Sequence, residues 1–343
     1  MKHVLVIPGD GIGPEVVKPS IDIIRNLADG IDFEYAEAGK KYYEKTGESI
    51  SKDTLAKAKA ADAIFFGATT SVREVAYKSP IMTLRQRLDL FANVRPIKSI
   101  LPGMKNIDMV IVRENTEGLY TQNEEEDLDG VTTYRRVSRI GCERIVKFAF
   151  SWCKQNSCKK IVCVHKANVL RASDGLFLDI FKTEATKNKK IDSFDMLVDA
   201  TAMKMVMKPE DFDAIVTLNL YGDILSDLGA GLVGGLGFVP SANIGAKHAM
   251  FEPAHGSAPD IAGKGIANPI AALMSSKMML DYLGFKKEGQ ILSDAIEKTI
   301  VIHRDTIDAE GRCKTASCID ALKMTLNEFM HDRQSQPKSK TKA

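Results

Sequence analysis

The stretch from Asp213 to Asp227 reads DAIVTLNLYGDILSD, and the fold turns on how it is divided. "DAIVTL" is a short β-branched run with polar neighbours, the signature of a buried strand. The remainder carries Asp223 and Asp227 four residues apart, on one face if the segment is helical. Two like charges on one helical face repel. These residues alone leave two readings open: a solvated acidic face, or a pair held by a compensating charge. The flanks favour the second, because "LGAGLVGGLGF" follows and is apolar and glycine-rich. A hard divalent cation with oxygen ligands is the natural compensator.

The same strand-then-helix rhythm extends both ways. "HVLVIPGDGIGPEVV" reads as strand, glycine turn and helix, and "ADAIFFGA" at 61–68 as a further strand. "PIMTLRQRLDLFA" is an amphipathic helix followed by the strand-like "NVRPIKSI". "IDMVIVREN" and "KKIVCVHKAN" are apolar runs that end in polar residues. Such alternation predicts an α/β fold with parallel strands buried on both faces and sites at their carboxyl ends. "TQNEEEDLDGVTTYRRVSR" has little core material and reads as a loop, or as an arm that needs a partner. The tail, 332–343, carries no large apolar residue and is expected to be disordered.

A chain of 343 residues is long enough for two domains with sizeable cores. A net charge of +2 gives no electrostatic case for nucleic acid or a membrane surface. No apolar run approaches the ~20 residues that span a bilayer. The start, "MKHVLVIPGDG", is too short in its apolar part for a signal peptide and reads as the first strand. The six cysteines form no CxxC pair and sit among core-like neighbours. They are expected to be buried thiols of a cytoplasmic protein, without a metal.

"PGDGIGPE" places glycines at 9, 11 and 13 between a strand and a helix. The spacing is not the full GxGxxG of a dinucleotide turn, and Glu15 at the helix start would oppose a pyrophosphate. A tight turn beside some other site is the better reading. "EPAHGSAPDIAGKGIANP", Glu252 to Pro269, is either a surface loop or a glycine-rich loop that wraps a phosphate or an adenine.

Taken together, "GDGIGPEV", "LRQRLDLFANVRP", "VRENTEGLY", "HKANVL", "NLYGDILSD", "PSANIG" and "HGSAPDIAGKGIANP" resemble one family throughout residues 3 to 325. That family is the β-decarboxylating dehydrogenases of isocitrate, 3-isopropylmalate and homoisocitrate. The resemblance implies a two-domain α/β fold with a shared long sheet, not a Rossmann fold. One domain would combine 1–97 with 237–343 and the other would be 98–236, with a dimerisation arm near 121–136. It further implies a metal- and NAD-dependent enzyme that oxidises C2 of a 3-substituted malate and releases CO2. Asp223 and Asp227 match the Mg2+ or Mn2+ ligands, with Asp199 supplied by the other subunit of a homodimer. Arg85, Arg95 and Arg113 match the clamp on the substrate carboxylates. Lys166 matches the base and reaches the neighbour's site, and Tyr120 matches the acid. Outside these motifs Lys166 would read as a surface lysine or an ion pair, and Tyr120 as packing. Glu252, His255, Gly256, Ser257, Ala258, Asp260 and Asn268 match the cofactor loop. A carboxylate at Asp260 suits a ribose hydroxyl and repels a 2′-phosphate, so NAD is expected over NADP.

Ser79, Ile81 and Met82, just before Arg85, match the positions that meet the variable C3 group. An apolar Ile/Met pair suits an isopropyl group, which points to 3-isopropylmalate. Lys78 or Ser79 could serve a distal carboxylate, which keeps homoisocitrate open, and isocitrate after it. A catalytically silent regulatory subunit is disfavoured, because the aspartates, Lys166 and Tyr120 are all present. One departure is "DAEGRCKTAS", where relatives have a glycine pair after the position of Asp308. The cofactor contribution of that 308–317 loop is therefore in doubt.

Overall fold

The computed structural model describes residues 1–72, 77–302 and 314–334, with side chains to 329 in the last segment. The tail beyond 334 and most of the atypical loop, including Asp308 and Gly311, lie outside the described residues.

The strands, in chain order, are β1 (Lys2–Gly9), β2 (Ile31–Tyr35), β3 (Ala63–Ala68), β4 (Ala92–Lys98), β5 (Asp108–Glu114), β6 (Glu124–Glu126), β7 (Val131–Thr133), β8 (Lys160–His165), β9 (Asp192–Leu197), β10 (Ala214–Thr217), β11 (Pro240–Ile244) and β12 (Ala249–Pro253). Ten of them form one sheet in the order β2-β1-β3-β12-β11-β4-β5-β10-β8-β9. Pairing is parallel within β2-β1-β3-β12 and within β5-β10-β8-β9. It is antiparallel at β12-β11, β11-β4 and β4-β5, so the two outer blocks run in opposite directions. The α/β expectation holds, and the strand runs fall where hydrophobic patterning put them. β1, β3, β5, β8 and β10 are buried over most of their length, as strands covered on both faces must be.

The stretch Asp213–Asp227 divides as expected. "AIVT" is β10, and Asn219–Leu232 is a helix. Gly222 and Gly229, two turns apart, let this helix lie close on the sheet. A Cβ at Gly222 would stand 2.6 Å from the Arg113 stem, and one at Gly229 3.1 Å from Ile97. Ser226 occupies the same buried face. Asp223 and Asp227 each follow one residue later, so both carboxylates emerge at the edge of the packed face.

The acidic stretch forms a two-stranded antiparallel ribbon, β6-β7, whose residues are all exposed. Cys142, Cys153 and Cys163 are buried, Cys158 is half-buried, and no disulfide forms among the described cysteines. No helix among the described residues is long and apolar enough to cross a membrane.

Candidate active site

Three arginines converge beside the Asn219–Leu232 helix. Arg95 comes from the middle of β4, Arg113 from the end of β5, and Arg85 from the preceding Pro80–Arg87 helix. All three are buried. Buried guanidiniums persist only if paired. Arg113 Nη1 donates to Asp223, while its Nε and Nη2 donate to Asn219 Oδ1 at 3.0 and 2.7 Å. Arg95 Nη1 donates to Ser226 Oγ at 2.6 Å and lies 3.5 Å from Asp223 and 3.4 Å from Asp227. Arg85 Nη2 meets Glu252 Oε1 at 3.0 Å. The Tyr120 hydroxyl donates to the second oxygen of Asp223, and the Arg113 guanidinium stands 4.8 Å over the Tyr120 ring. Three guanidiniums thus face three carboxylates, Asp223, Asp227 and Glu252.

The electrostatics sort the two helical aspartates apart. Burial pushes the Asp223 carboxyl up, but Arg113, the Tyr120 bond and Arg95 outweigh it, and the net direction is down. Asp227 moves up, because burial and the Asp223 charge prevail over Arg95. Burial also raises Tyr120, helped by Asp223 and opposed by Arg113, so its phenol stays protonated through the neutral range. Burial and the neighbouring Arg95 and Arg85 lower Arg113 to about 10, which still leaves it charged at neutral pH.

Lys166 and Asp199 lie elsewhere on the chain. They pair with each other at 2.7 Å, with the Asp199 side chain 65% exposed, and neither bonds to Asp223 or Asp227. No cluster of three or more metal-ligating side chains exists among the described residues of one chain. Asp223 and Asp227 supply two hard oxygen donors one turn apart, a donor set that fits Mg2+ or Mn2+ bound by two carboxylates. The loop bearing Lys166 is held firmly. The Lys166 backbone N–H donates to the fully buried Asp174, which also receives Arg135 at 2.6 Å.

The glycine-rich segment 254–269 is a loop tied to the first turn of the chain. The Ile12 N–H donates to the Ser257 carbonyl at 2.9 Å, Thr70 Oγ1 to Ser257 Oγ at 2.9 Å, and the Gly263 N–H to Glu15. Gly11, at φ +58°, lies so close that a Cβ would meet the Ser257 carbonyl at 1.9 Å. The "GDGIG" turn is therefore filled by the chain's own backbone, in keeping with its reading as a tight turn rather than a phosphate cradle. Asp260 and Gly256 are exposed, and His255 Nε2 is buried with no protein partner. Asn268 Oδ1 accepts from the Ile270 N–H at 3.0 Å, at the start of the Ile270–Leu283 helix. Glu252 differs from the rest of the expected cofactor set. Its carboxylate is buried in β12 and bonds to Arg85 and Asn243.

Near Arg85, Ser79 precedes the helix, and Ile81 packs partly on the core around Leu5, Ile7 and Met250. Met82 is half-buried and belongs to no core cluster. Sequence reasoning missed Asn219, Ser226 and Asn243. A signal existed for Asn219 and Asn243: both lie within the motifs NLYGDILSD and PSANIG.

The described side chains thus bring three buried arginines, three carboxylates and a tyrosine hydroxyl together beside one helix. Residues 3–323 match the isocitrate/isopropylmalate dehydrogenase family. The chain is 47% identical over 338 residues to the homoisocitrate dehydrogenase of Methanocaldococcus jannaschii, covering 94% of this chain and 97% of that protein. It is 45% identical over 317 residues to the 3-isopropylmalate dehydrogenase of Methanothermobacter thermautotrophicus, covering 91% and 94%. The crystal structure of isocitrate dehydrogenase from Methylococcus capsulatus superposes with a TM-score of 0.92 at 40% identity, covering 95% of this chain and 99% of that one. The chain belongs to this family and is an oxidatively decarboxylating dehydrogenase.

Proposed function

We propose that the protein is a metal- and NAD-dependent dehydrogenase of a 3-substituted malate, with 3-isopropylmalate as its leading substrate. The observation that carries this is the buried Arg85-Arg95-Arg113 cluster, faced by Asp223, Asp227 and Tyr120. The pocket's three positive and three negative charges already balance. A dicarboxylate entering with a divalent cation keeps that balance, whereas a buried net charge would be costly. The arginines hold the carboxylates as donor forks. Asp223 and Asp227 would hold Mg2+ or Mn2+ and the loop from His255 to Asn268 would hold NAD; bound there, the metal would supply Lewis-acid polarisation of the C2 oxygen and the NAD a hydride acceptor. Lys166 takes the C2 hydroxyl proton. The C3 carboxylate then leaves as CO2, its bonding pair remains on the substrate as an enolate, and Tyr120 returns a proton to C3.

In this reading Lys166 and Asp199 serve the site of a second copy. Support comes from the helix Val198–Met207, which leaves Met203, Val206 and Met207 exposed, and from exposed Ile224 beside Asp223. Such an apolar patch is what a homodimer interface would cover. The chain would work as two units, 1–97 with 237–343 and 98–236, around the shared pocket. NAD would lie along the loop from His255 to Asn268, with Asp260 on its ribose.

Homoisocitrate is the second reading. It is favoured by the partial use of Ile81 in core packing and by exposed Lys78 beside Ser79. The test is metal-dependent NADH formation by the purified chain, with kcat/KM compared across 3-isopropylmalate, homoisocitrate and isocitrate. No turnover of any of the three would overturn the proposal. A preference for homoisocitrate would replace the leading substrate and keep the class.

A further inference from the structure

Behind the arginines lies a chain of amides that the chemistry itself does not require. Asn243 in β11 is fully buried. Its Oδ1 accepts from Asn93 Nδ2 at 3.0 Å and from Asn115 Nδ2 at 2.9 Å. Two donors on one amide oxygen fix the orientation of the group, so its Nδ2 must point away from them. There it donates to Glu252 Oε1 at 2.8 Å, the same oxygen that receives Arg85 Nη2 at 3.0 Å. The two outer amides are themselves anchored, Asn93 on Ser241 Oγ at 2.8 Å and Asn115 on the Leu90 carbonyl at 3.0 Å. Ser275 Oγ holds the Glu252 carbonyl at 2.8 Å. Three central strands thus converge on one carboxylate oxygen, and that oxygen on one guanidinium. Arg85 Nε, Asn93 Oδ1 and Asn115 Oδ1 are buried without a protein partner. A network shaped only for stability would close such groups.

We propose that Asn243 is a positioning residue for the substrate clamp: by donating to Glu252 it fixes the carboxylate that aims Arg85 at the substrate. The inference rests on Arg85 binding a carboxylate of the 2-hydroxy acid, as proposed above. A packing role could be filled by leucine. A donor role cannot be filled by aspartate, although it is nearly the same shape. The charged and titratable groups facing Glu252 are Arg85 from the Pro80–Arg87 helix, Arg95 from β4, and His255 of the following loop, which burial biases toward its neutral form.

The test uses the full chain with saturating NAD and Mg2+, and reads KM for the hydroxy acid relative to wild type at each pH. In Asn243→Asp the new carboxyl faces Glu252. The pair shares a proton in acid and repels once that proton leaves. The ratio should stay within about 3-fold at about pH 6 and climb about 10-fold or more by about pH 8.5, while KM for NAD stays flat. Glu252→Gln, which keeps the shape and removes the charge, should raise KM for the hydroxy acid at every pH. It carries the test if Asn243→Asp does not fold. Arg85→Gln separates the two layers. If it leaves KM unchanged, the clamp assignment itself fails. If it raises KM but Asn243→Asp tracks wild type across the range, or Glu252→Gln tracks wild type where Asn243→Asp does not fold, the positioning role is overturned.

Discussion

Asp223 and Asp227 sit one turn apart and should behave oppositely in the protein without ligands. The Asp223 carboxyl is lowered, so its contribution to stability is present above its unfolded pKa of about 3.9 and is lost as pH falls through the folded value. Asp227 is raised, so its charge is a burden that sets in as pH rises through the unfolded value. Asp223→Asn should therefore lower the melting temperature at pH 7, with the difference closing in acid. Asp227→Asn should leave it unchanged or raise it. Both should cost at least ~100-fold in Mg2+-dependent turnover, since stabilising developing charge is a dominant catalytic term. Equal melting shifts for the two variants would contradict this electrostatic division, and full activity in EDTA would remove the metal. At the cofactor loop, Asp260 is exposed, so its effect is a charge effect in water. Asp260→Lys should move the kcat/KM preference from NAD toward NADP by roughly 5- to 150-fold, the equivalent of ~1–3 kcal/mol, and less at high salt. A natural enzyme that already used both cofactors equally would contradict the assignment.

The helix Asn219–Leu232 does two jobs with one face, and its glycines decide whether both succeed. Gly222→Ala gains ~1 kcal/mol of helix propensity but forces a methyl against Arg113, where overpacking costs typically ~1–3 kcal/mol. The clash should win. The expected result is a lower melting temperature together with a several-fold higher KM for the hydroxy acid, read by calorimetry and steady-state kinetics. A more stable variant with unchanged KM would show that Arg113 has room to move. Much of this element was legible beforehand. β-branched density marked β10, and spacing placed both aspartates on one face. The arginines and Tyr120 were legible only through whole motifs, because nothing local distinguishes a clamp arginine from a surface one. The partners of those side chains were not legible. Glu252 meets Arg85 from 167 residues away, which no short window encodes, whereas its bond to Asn243 spans the β11-β12 hairpin. Its place beside Arg85 follows from its lying in β12, all of whose residues are buried.

On the scale of the molecule, the proposal that Lys166 and Asp199, paired with each other in one chain, serve a partner's site sets up a complementation experiment. If the site is shared between two chains, Lys166→Ala and Asp223→Asn each inactivate a different half of it. In a mixed dimer one site carries both lesions and the other carries neither. Random subunit exchange should restore about a quarter of wild-type activity. No recovery after verified exchange would mean that one chain builds its own site. The strand order of the long sheet also bears on how the protein is made. β5, β10, β8 and β9 come from one unbroken stretch and can pair as soon as it leaves the ribosome. β3 emerges much earlier, yet its neighbour on the central side of the sheet is β12, with Ile64 paired to Met250. Until then its edge is an open template for wrong partners. The segment synthesised first is thus completed last, and it is this segment, during translation, that should need a chaperone.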